Sequence, residues 1–161
     1  MNKVNFMPEG FHSVTPYLSV KGAAEAIEFY KRVFDAKERY RLPGPDGKTV
    51  GHAEIMIGDS ILMLAEENPQ WGNKSPKVLN GTPVNLVVYV PDADQYFKRA
   101  VDAGAKVIRP VADQFYGDRS GCVEDPFGFS WSIMTHIEDV SQEEIERRLP
   151  LEYKKMAEQQ G

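Results

Sequence analysis

The chain has few of the residues that make chemistry easy to recognise. Its 161 residues include one cysteine, Cys122, and three histidines, His12, His52 and His136. A lone cysteine excludes an intramolecular disulfide framework and suits a reducing compartment. No apolar run approaches the ~20 residues that cross a bilayer. Met1–Gly10 shows neither the basic flank nor the apolar stretch of a signal peptide, so an unexported, cytoplasmic chain is expected. Basic residues are outnumbered, 19 Lys and Arg against 24 Asp and Glu, and the formal net charge is −5. With no basic stripe interleaved with aromatics, a nucleic-acid surface is not expected. There is no phosphate-binding loop, no Gly-x-Gly-x-x-Gly after a strand and no Gly-x-Ser-x-Gly elbow around Ser132. Cys122 has no histidine at motif spacing and reads as a small buried residue.

What is present is one domain's worth of periodic pattern. At 42% hydrophobic and 27% charged, the chain can bury one good core or two small repeated units. Val14–Val20 reads as a strand, with Pro16 tolerable where no ladder hydrogen bond is donated. A helix follows, because Ala23, Ala26, Ile27, Tyr30, Val33 and Phe34 recur at spacings of three and four. Strands Glu38–Arg41, Thr49–Ile57 and Ser60–Ala65 come next, the last two joined by the hairpin signal Gly58-Asp59. Glu66–Thr82 is rich in turn formers and reads as a linker, with Trp71 its one anchor.

The same order then restarts. Strand Val84–Val90 leads to helix Asp92–Ala103, where Asp92 and Gln95 form a capping box and Gly104 suits the C-terminal left-handed position. Strands Lys106–Arg109, Asp118–Glu124 and Phe129–Ile137 follow, the last pair joined by the tight turn Asp125-Pro126-Phe127-Gly128. Phe29–Ala36 lines up without a gap on Tyr96–Ala103 at an offset of 67, and a repeat that long means duplication. The expected fold is therefore α+β: two tandem βαβββ modules with curved mixed sheets forming a shared cleft, plus a C-terminal helix. Module one covers residues 12–65, the linker 66–82, module two 83–137 and the helical tail 138–161. In the tail, Ser141 and Glu144 cap a helix anchored by Ile145 and Leu149 up to Pro150, and Leu151–Gly161 is polar and expected to fray.

Parity sorts each strand into a face that meets the helix and a free face. Leu18 and Val20, Ala53 and Ile55, and Leu62 and Leu64 fall on the helix side of module one. Thr15, Tyr17, Ser19, His52, Glu54, Met56, Ile61 and Met63 fall on the free side. In module two Leu86, Val88, Trp131 and Ile133 oppose Asn85, Val87, Tyr89, Ser130, Ser132 and Met134, with Ser120, Cys122 and Glu124 joining the free face. Two such sheets curving together would enclose a mixed apolar and polar trough, the usual character of a small-molecule site.

Paired βαβββ units, the Val20–Tyr30 entry, the Val90-Pro91-Asp92 strand exit and the Asp125-Pro126-x-Gly128 hairpin resemble the vicinal oxygen chelate superfamily. That superfamily holds glyoxalase I, extradiol dioxygenases, fosfomycin-resistance enzymes and bleomycin-binding proteins. The run from Gly117 to Gly128, with Trp131–His136 and Glu138-Asp139, resembles its PhnB-like branch; the likeness covers residues 12–148. In the enzymes, one ligand from the first and last strand of each half holds a divalent metal that acts as a Lewis acid. The resemblance puts Thr15, Asn85, Met63 and Ser132 at those positions, and none is a good ligand for zinc, nickel, manganese or iron. A slip of one residue offers Leu62 or Ile133, no better. It therefore implies no metal and no cofactor.

Two arrangements of the remaining acids and imidazoles stay open. His52 and Glu54, two apart on one strand face, would form an unusual ligand set with Glu124, or would be hydrogen-bonded to Arg39, Arg41, Arg109 or Arg119 on neighbouring strands. His136 with Glu138 is expected to tie down the tail, and His12 to be exposed. The function expected is a metal-independent small-molecule binding protein of the glyoxalase/bleomycin-resistance type, with no catalytic residue. Tyr17, Met56, Met63 and Tyr89 supply apolar contact, and His52, Glu54, Asn85, Glu124 and Ser132 polar contact. Acidic lining favours a cationic ligand. The alternatives are a lyase or dioxygenase-like enzyme with a displaced metal, and a metal-free isomerase using Glu54 or Glu124 as base beside His52. Open sheet edges imply a homodimer, with no nucleic-acid or membrane partner.

Overall fold

The computed structural model describes residues 4–158, so the last three residues of the tail expected to fray lie outside the described residues. Module one runs β1 (Tyr17–Val20), α1 (Ala23–Phe34), β2 (Lys37–Pro43), β3 (Val50–Ile57) and β4 (Ser60–Glu66). The link holds a 3-10 turn at Pro69–Trp71 and the short helix α2 (Pro76–Leu79). Module two runs β5 (Asn85–Tyr89), α3 (Ala93–Asp102), β6 (Lys106–Asp113), β7 (Asp118–Glu124) and β8 (Ser130–His136), and α4 (Gln142–Glu158) follows. Each module is one four-stranded mixed sheet, ordered β1-β4-β3-β2 and β5-β8-β7-β6. The first and last strands of each are parallel and the other pairs antiparallel. This is the α+β, two-module architecture expected.

Local chemistry accounts for the elements. The apolar stripe of α1 is buried as its spacing requires, and the helix stops at Asp35, whose φ is 54°. In α3 the Asp92 carboxylate accepts from Gln95 N at 3.0 Å, filling one of the orphan N-terminal donors. Gly121 in β7 faces α3 so closely that an added Cβ would stand 2.6 Å from the Phe97 ring, which explains the missing side chain there. The caps that end the helices, Asp35 for α1 and Ala103 for α3, are 68 apart, one more than the letter repeat. The helix starts, Ala23 and Ala93, are 70 apart rather than 68, because α1 has 12 residues and α3 has 10.

The two modules share one hydrophobic core through their helix faces. The Phe34 ring of α1 lies 4.6 Å from Trp131 of β8, and Phe29 lies 6.0 Å from Phe127. The Tyr30 hydroxyl donates to Asp125 Oδ2 at 2.8 Å. Asp125, 2% exposed, also accepts from Trp131 Nε1 and from Phe127 N and Phe129 N, each at 2.9 Å. Burial pushes its carboxyl up from the ordinary value, and those hydrogen bonds oppose the rise. The Asp-Pro-Phe-Gly turn is thus the joint between modules as well as a hairpin end.

Two expectations need correction. Trp71 anchors nothing: it is 75% exposed, while Ser75 and Pro76 are the buried residues of the link, with Ser75 N donating to Glu67 Oε2. The tail does not fray after Pro150; α4 continues through that proline to Glu158. Proline sacrifices one backbone hydrogen bond. Ion pairs Glu144–Arg148 before it and Glu152–Lys155 after it stitch successive turns.

Candidate functional site

Strand register lays the free face of each module out in rows. Across module one Tyr40, Glu54, Met63 and Tyr17 stand in register on β2, β3, β4 and β1. Across module two Arg109, Cys122, Ser132 and Val87 do so on β6, β7, β8 and β5. Residues in register share a face, so both sets lie on the side of the sheet away from the shared core. The sorting expected from parity holds: Leu18, Ala53, Ile55, Leu64, Val88, Val123 and Ile133 are all buried against the helices.

The row of module one is aromatic around a buried acid. The Tyr17 hydroxyl and His52 Nδ1 are 2.9 Å apart, and the ring centroids of Tyr17 and Tyr40 lie 5.5 and 5.7 Å from the imidazole. Glu54 is 5% exposed. Its carboxylate meets Arg39 Nη1 at 3.3 Å and stands 3.7 Å from His52 Nε2. The neighbouring Glu54 carboxylate raises the Tyr40 pKa, whereas burial is what raises that of Tyr17. Of the two arrangements open for His52 and Glu54, the arginine-bonded one is present, with Arg39 as the partner. Arg39 reaches Glu54 because a register shift between Glu38 and Tyr40 takes it out of simple alternation.

Beside Arg109, the free face of module two carries small neutral groups. Asn85 Nδ2 donates to Ser132 Oγ at 2.7 Å, Ser130 Oγ donates to Asn85 Oδ1 at 3.1 Å, and Cys122 Sγ is 3.5 Å from Ser130 Oγ. Glu124, one row along, is 3.6 Å from Lys106 Nζ. Tyr89 lies apart from this group, its hydroxyl donating to Asp118 Oδ2 at 2.9 Å. Met56 borders, with Tyr89, a groove of about 250 Å3 at the module junction. His136 is bracketed by Asp118 at 2.7 Å and Asp139 at 2.9 Å rather than paired with Glu138, and these two carboxylates raise its pKa. Glu138 instead holds Arg148 of α4 at 2.8 Å.

The structure therefore brings Tyr17, His52, Glu54 and Met63 together, and separately Asn85 and Ser132. No hydrogen bond, ion pair or ring contact among the described residues joins one free face to the other. Tyr40 and Asp118 went unrecognised as members of the polar clusters. Their signal is register, Tyr40 opposite Glu54 and Asp118 opposite His136.

The four positions that would hold a metal fit it poorly. Thr15 Oγ1 donates to His12 O, Asn85 and Ser132 satisfy each other, and Met63 offers a thioether. Borderline divalent metals want imidazole, carboxylate or thiolate. Among the described residues, no three His, Cys, Asp or Glu side chains are grouped closely enough to hold a metal ion.

Comparison with known proteins supports the same architecture. Residues 10–133 match the Glyoxalase/Bleomycin resistance protein/Dioxygenase superfamily. The uncharacterized protein Mb0911c of Mycobacterium bovis is 45% identical over 137 residues, which is 83% of this chain and 90% of that one. Among solved structures, TioX from Micromonospora sp. ML1 superposes with a TM-score of 0.60 at 24% identity, covering 81% of this chain and all of that one. The PhnB protein from Bacillus cereus gives 0.61 at 19% identity, covering 77% and 99%. Such structural likenesses speak for the fold. Two βαβββ modules joined through Asp125 and matched across residues 10–133 make this chain a member of the glyoxalase/bleomycin resistance protein/dioxygenase superfamily, with no good metal donor at the expected ligand positions.

Proposed function

We propose that the protein is a metal-independent binder of a small molecule, acting as a cytoplasmic homodimer in which a second copy closes the trough. The observation that carries the reading is the neutral set Thr15, Met63, Asn85 and Ser132 at the ligand positions, with Asn85 and Ser132 already bonded to each other. A Lewis acid has nothing there to hold it, whereas an exposed aromatic face beside hydrogen-bonding groups suits ligand contact. The dimer is supported by the unpaired outer edges of β1 and β5, which end their sheets, and by the exposure of Tyr17, Val87 and Tyr89 on them. Two faces that no hydrogen bond, ion pair or ring contact among the described residues joins within one chain can line one trough if a second copy brings them together. The cationic ligand suggested by acidic lining loses its support, since Glu54 is held by Arg39 and Glu124 by Lys106.

Elemental analysis of protein purified without chelator tests the reading, and well under one equivalent of transition metal per chain is expected. Near-stoichiometric metal that a His52→Ala variant loses overturns it in favour of a lyase or dioxygenase-like enzyme with displaced ligands. A thermal-shift screen of a diverse library then finds the ligand, since binding the native state raises the melting temperature. Sedimentation at micromolar concentration should show a dimer; a monomer removes the shared trough. The metal-free isomerase remains a second reading because His52 sits between a hydroxyl and a carboxylate, Tyr17 at 2.9 Å and Glu54 at 3.7 Å. It requires the bound compound to be converted, which NMR of the recovered ligand decides.

A further inference from the structure

The two faces differ in what they leave unsatisfied, and that difference carries information about the ligand. Every arginine except Arg32 and Arg109 is ion-paired among the described residues. Arg32 lies on α1, away from both free faces. Arg109 stands in register with Cys122 and Ser132, on the free face of module two. In the same row, Ser132 Oγ accepts from Asn85 Nδ2, and its own hydroxyl proton has no acceptor among the described residues. Ser132 is 5% exposed, so this unused donor is held within the face and not in bulk solvent. A guanidinium and a hydroxyl without acceptors form a donor-rich, acceptor-poor row. The nearest carboxylate in the adjoining row, Glu124, is drawn to Lys106. Such a row is complementary to an anion, and the planar fork of arginine matches a carboxylate in particular.

The face of module one complements a different part of a molecule. Its one acid is paired with Arg39, and what it presents outward is the ring surface of Tyr17, His52 and Tyr40. Rings at 5.5 and 5.7 Å from a shared neighbour offer stacking and edge contact to a flat, unsaturated body. Resting on the reading that the two faces line one trough, we infer that the ligand is a planar aromatic carboxylate: the ring system lies on Tyr17, His52 and Tyr40, and the carboxylate on Arg109 and the Ser132 hydroxyl.

Three probes of one shape and different charge test this: 2-naphthoate, 2-naphthamide and 2-naphthylmethylammonium, titrated by calorimetry against the full chain. Wild type should bind the carboxylate at least tenfold more tightly than the amide and the ammonium least. Arg109→Gln, at an exposed position, should bring carboxylate and amide within about twofold while melting temperature and sedimentation stay unchanged. Tyr17→Leu should weaken both by a similar factor and leave their ratio intact. The assignment is overturned if wild type binds amide and carboxylate alike, prefers the ammonium, binds none of the three, or keeps its preference in Arg109→Gln. Preference for the amide or ammonium removes the carboxylate and leaves a metal-independent binder standing. Stoichiometric metal would remove the binder itself.

Discussion

Across module one the free-face row reads Tyr40, Glu54, Met63, Tyr17; across module two the positions in the same register read Arg109, Cys122, Ser132, Val87. One step along each strand, on the helix face, the two modules read almost alike: Ile55 and Val123, Leu64 and Ile133, Leu18 and Val88, all buried. Duplication therefore conserved what close packing demands and released what it does not. A core position admits only apolar side chains of nearly fixed volume. A position facing away from the core has no such constraint, so one copy became aromatic with a caged acid and the other small and donor-rich beside an arginine.

The largest effect should come from the core that the two rows have in common. Trp131→Ala removes the ring packed against Phe34 and one of the four donors to Asp125, and should cost about 3–5 kcal/mol. Both modules should lose structure in a single thermal transition. Two separate transitions, with module one keeping the wild-type midpoint, would break the picture of two rows held by one core.

Next come the matched positions themselves. Glu54→Ala strips Arg39 of its buried partner; because Arg39 is one-third exposed, the cost should be about 2 kcal/mol rather than the full penalty of an orphaned buried charge. Cys122→Ala, at the equivalent place, should cost roughly 1 kcal/mol, since it loses only a small packed sulfur. Urea denaturation of both variants measures the asymmetry, and equal costs would erase it. Tyr17→Phe should cost roughly 0.5–1 kcal/mol by removing the hydroxyl that bonds to His52.

The smallest effect concerns a feature of module two without a counterpart in module one. His136 has its pKa raised above 6.5 by Asp139 and Asp118. Its protonated form is the one stabilised, so that contribution is fully present below about pH 6.5 and is lost as pH rises through the raised value. Melting temperature followed from pH 6 to 9 should fall slightly over that window in wild type. In His136→Ala the slope should be flatter, and an identical slope would mean that the bracket of aspartates contributes nothing.

Much of this was legible in the letters. The strand–helix order, the hairpins at Gly58-Asp59 and Asp125–Gly128, and the sorting of Tyr17, His52, Glu54, Asn85 and Ser132 onto free faces all follow from period and turn chemistry. Where a strand bends out of register, the alternation fails as a guide, and so Arg39 stayed one of four candidate partners and Tyr40 was hidden beside the bulge in β2. Trp71 misled because size alone does not bury a side chain; in the link, Ser75 and Pro76 are packed and the indole is not.

Resemblance to the family marked the four neutral positions where a metal would sit; by itself the sequence determined two βαβββ units and which face of each strand meets a helix. These depend on repeats of two, three and four residues and on single turns, so they can be read within a short window. Only the tertiary structure decided that α1, packed on its own sheet, also brings Tyr30 and Phe34 against Trp131 of the other module, that Asp125 bonds to Tyr30 across 95 residues of chain, and that Glu54 is caged while Arg109 has no ion-pair partner among the described residues. Each of those outcomes is a competition among groups far apart in sequence for one donor, acceptor or cavity, and the winner is set by where the folded backbone places them.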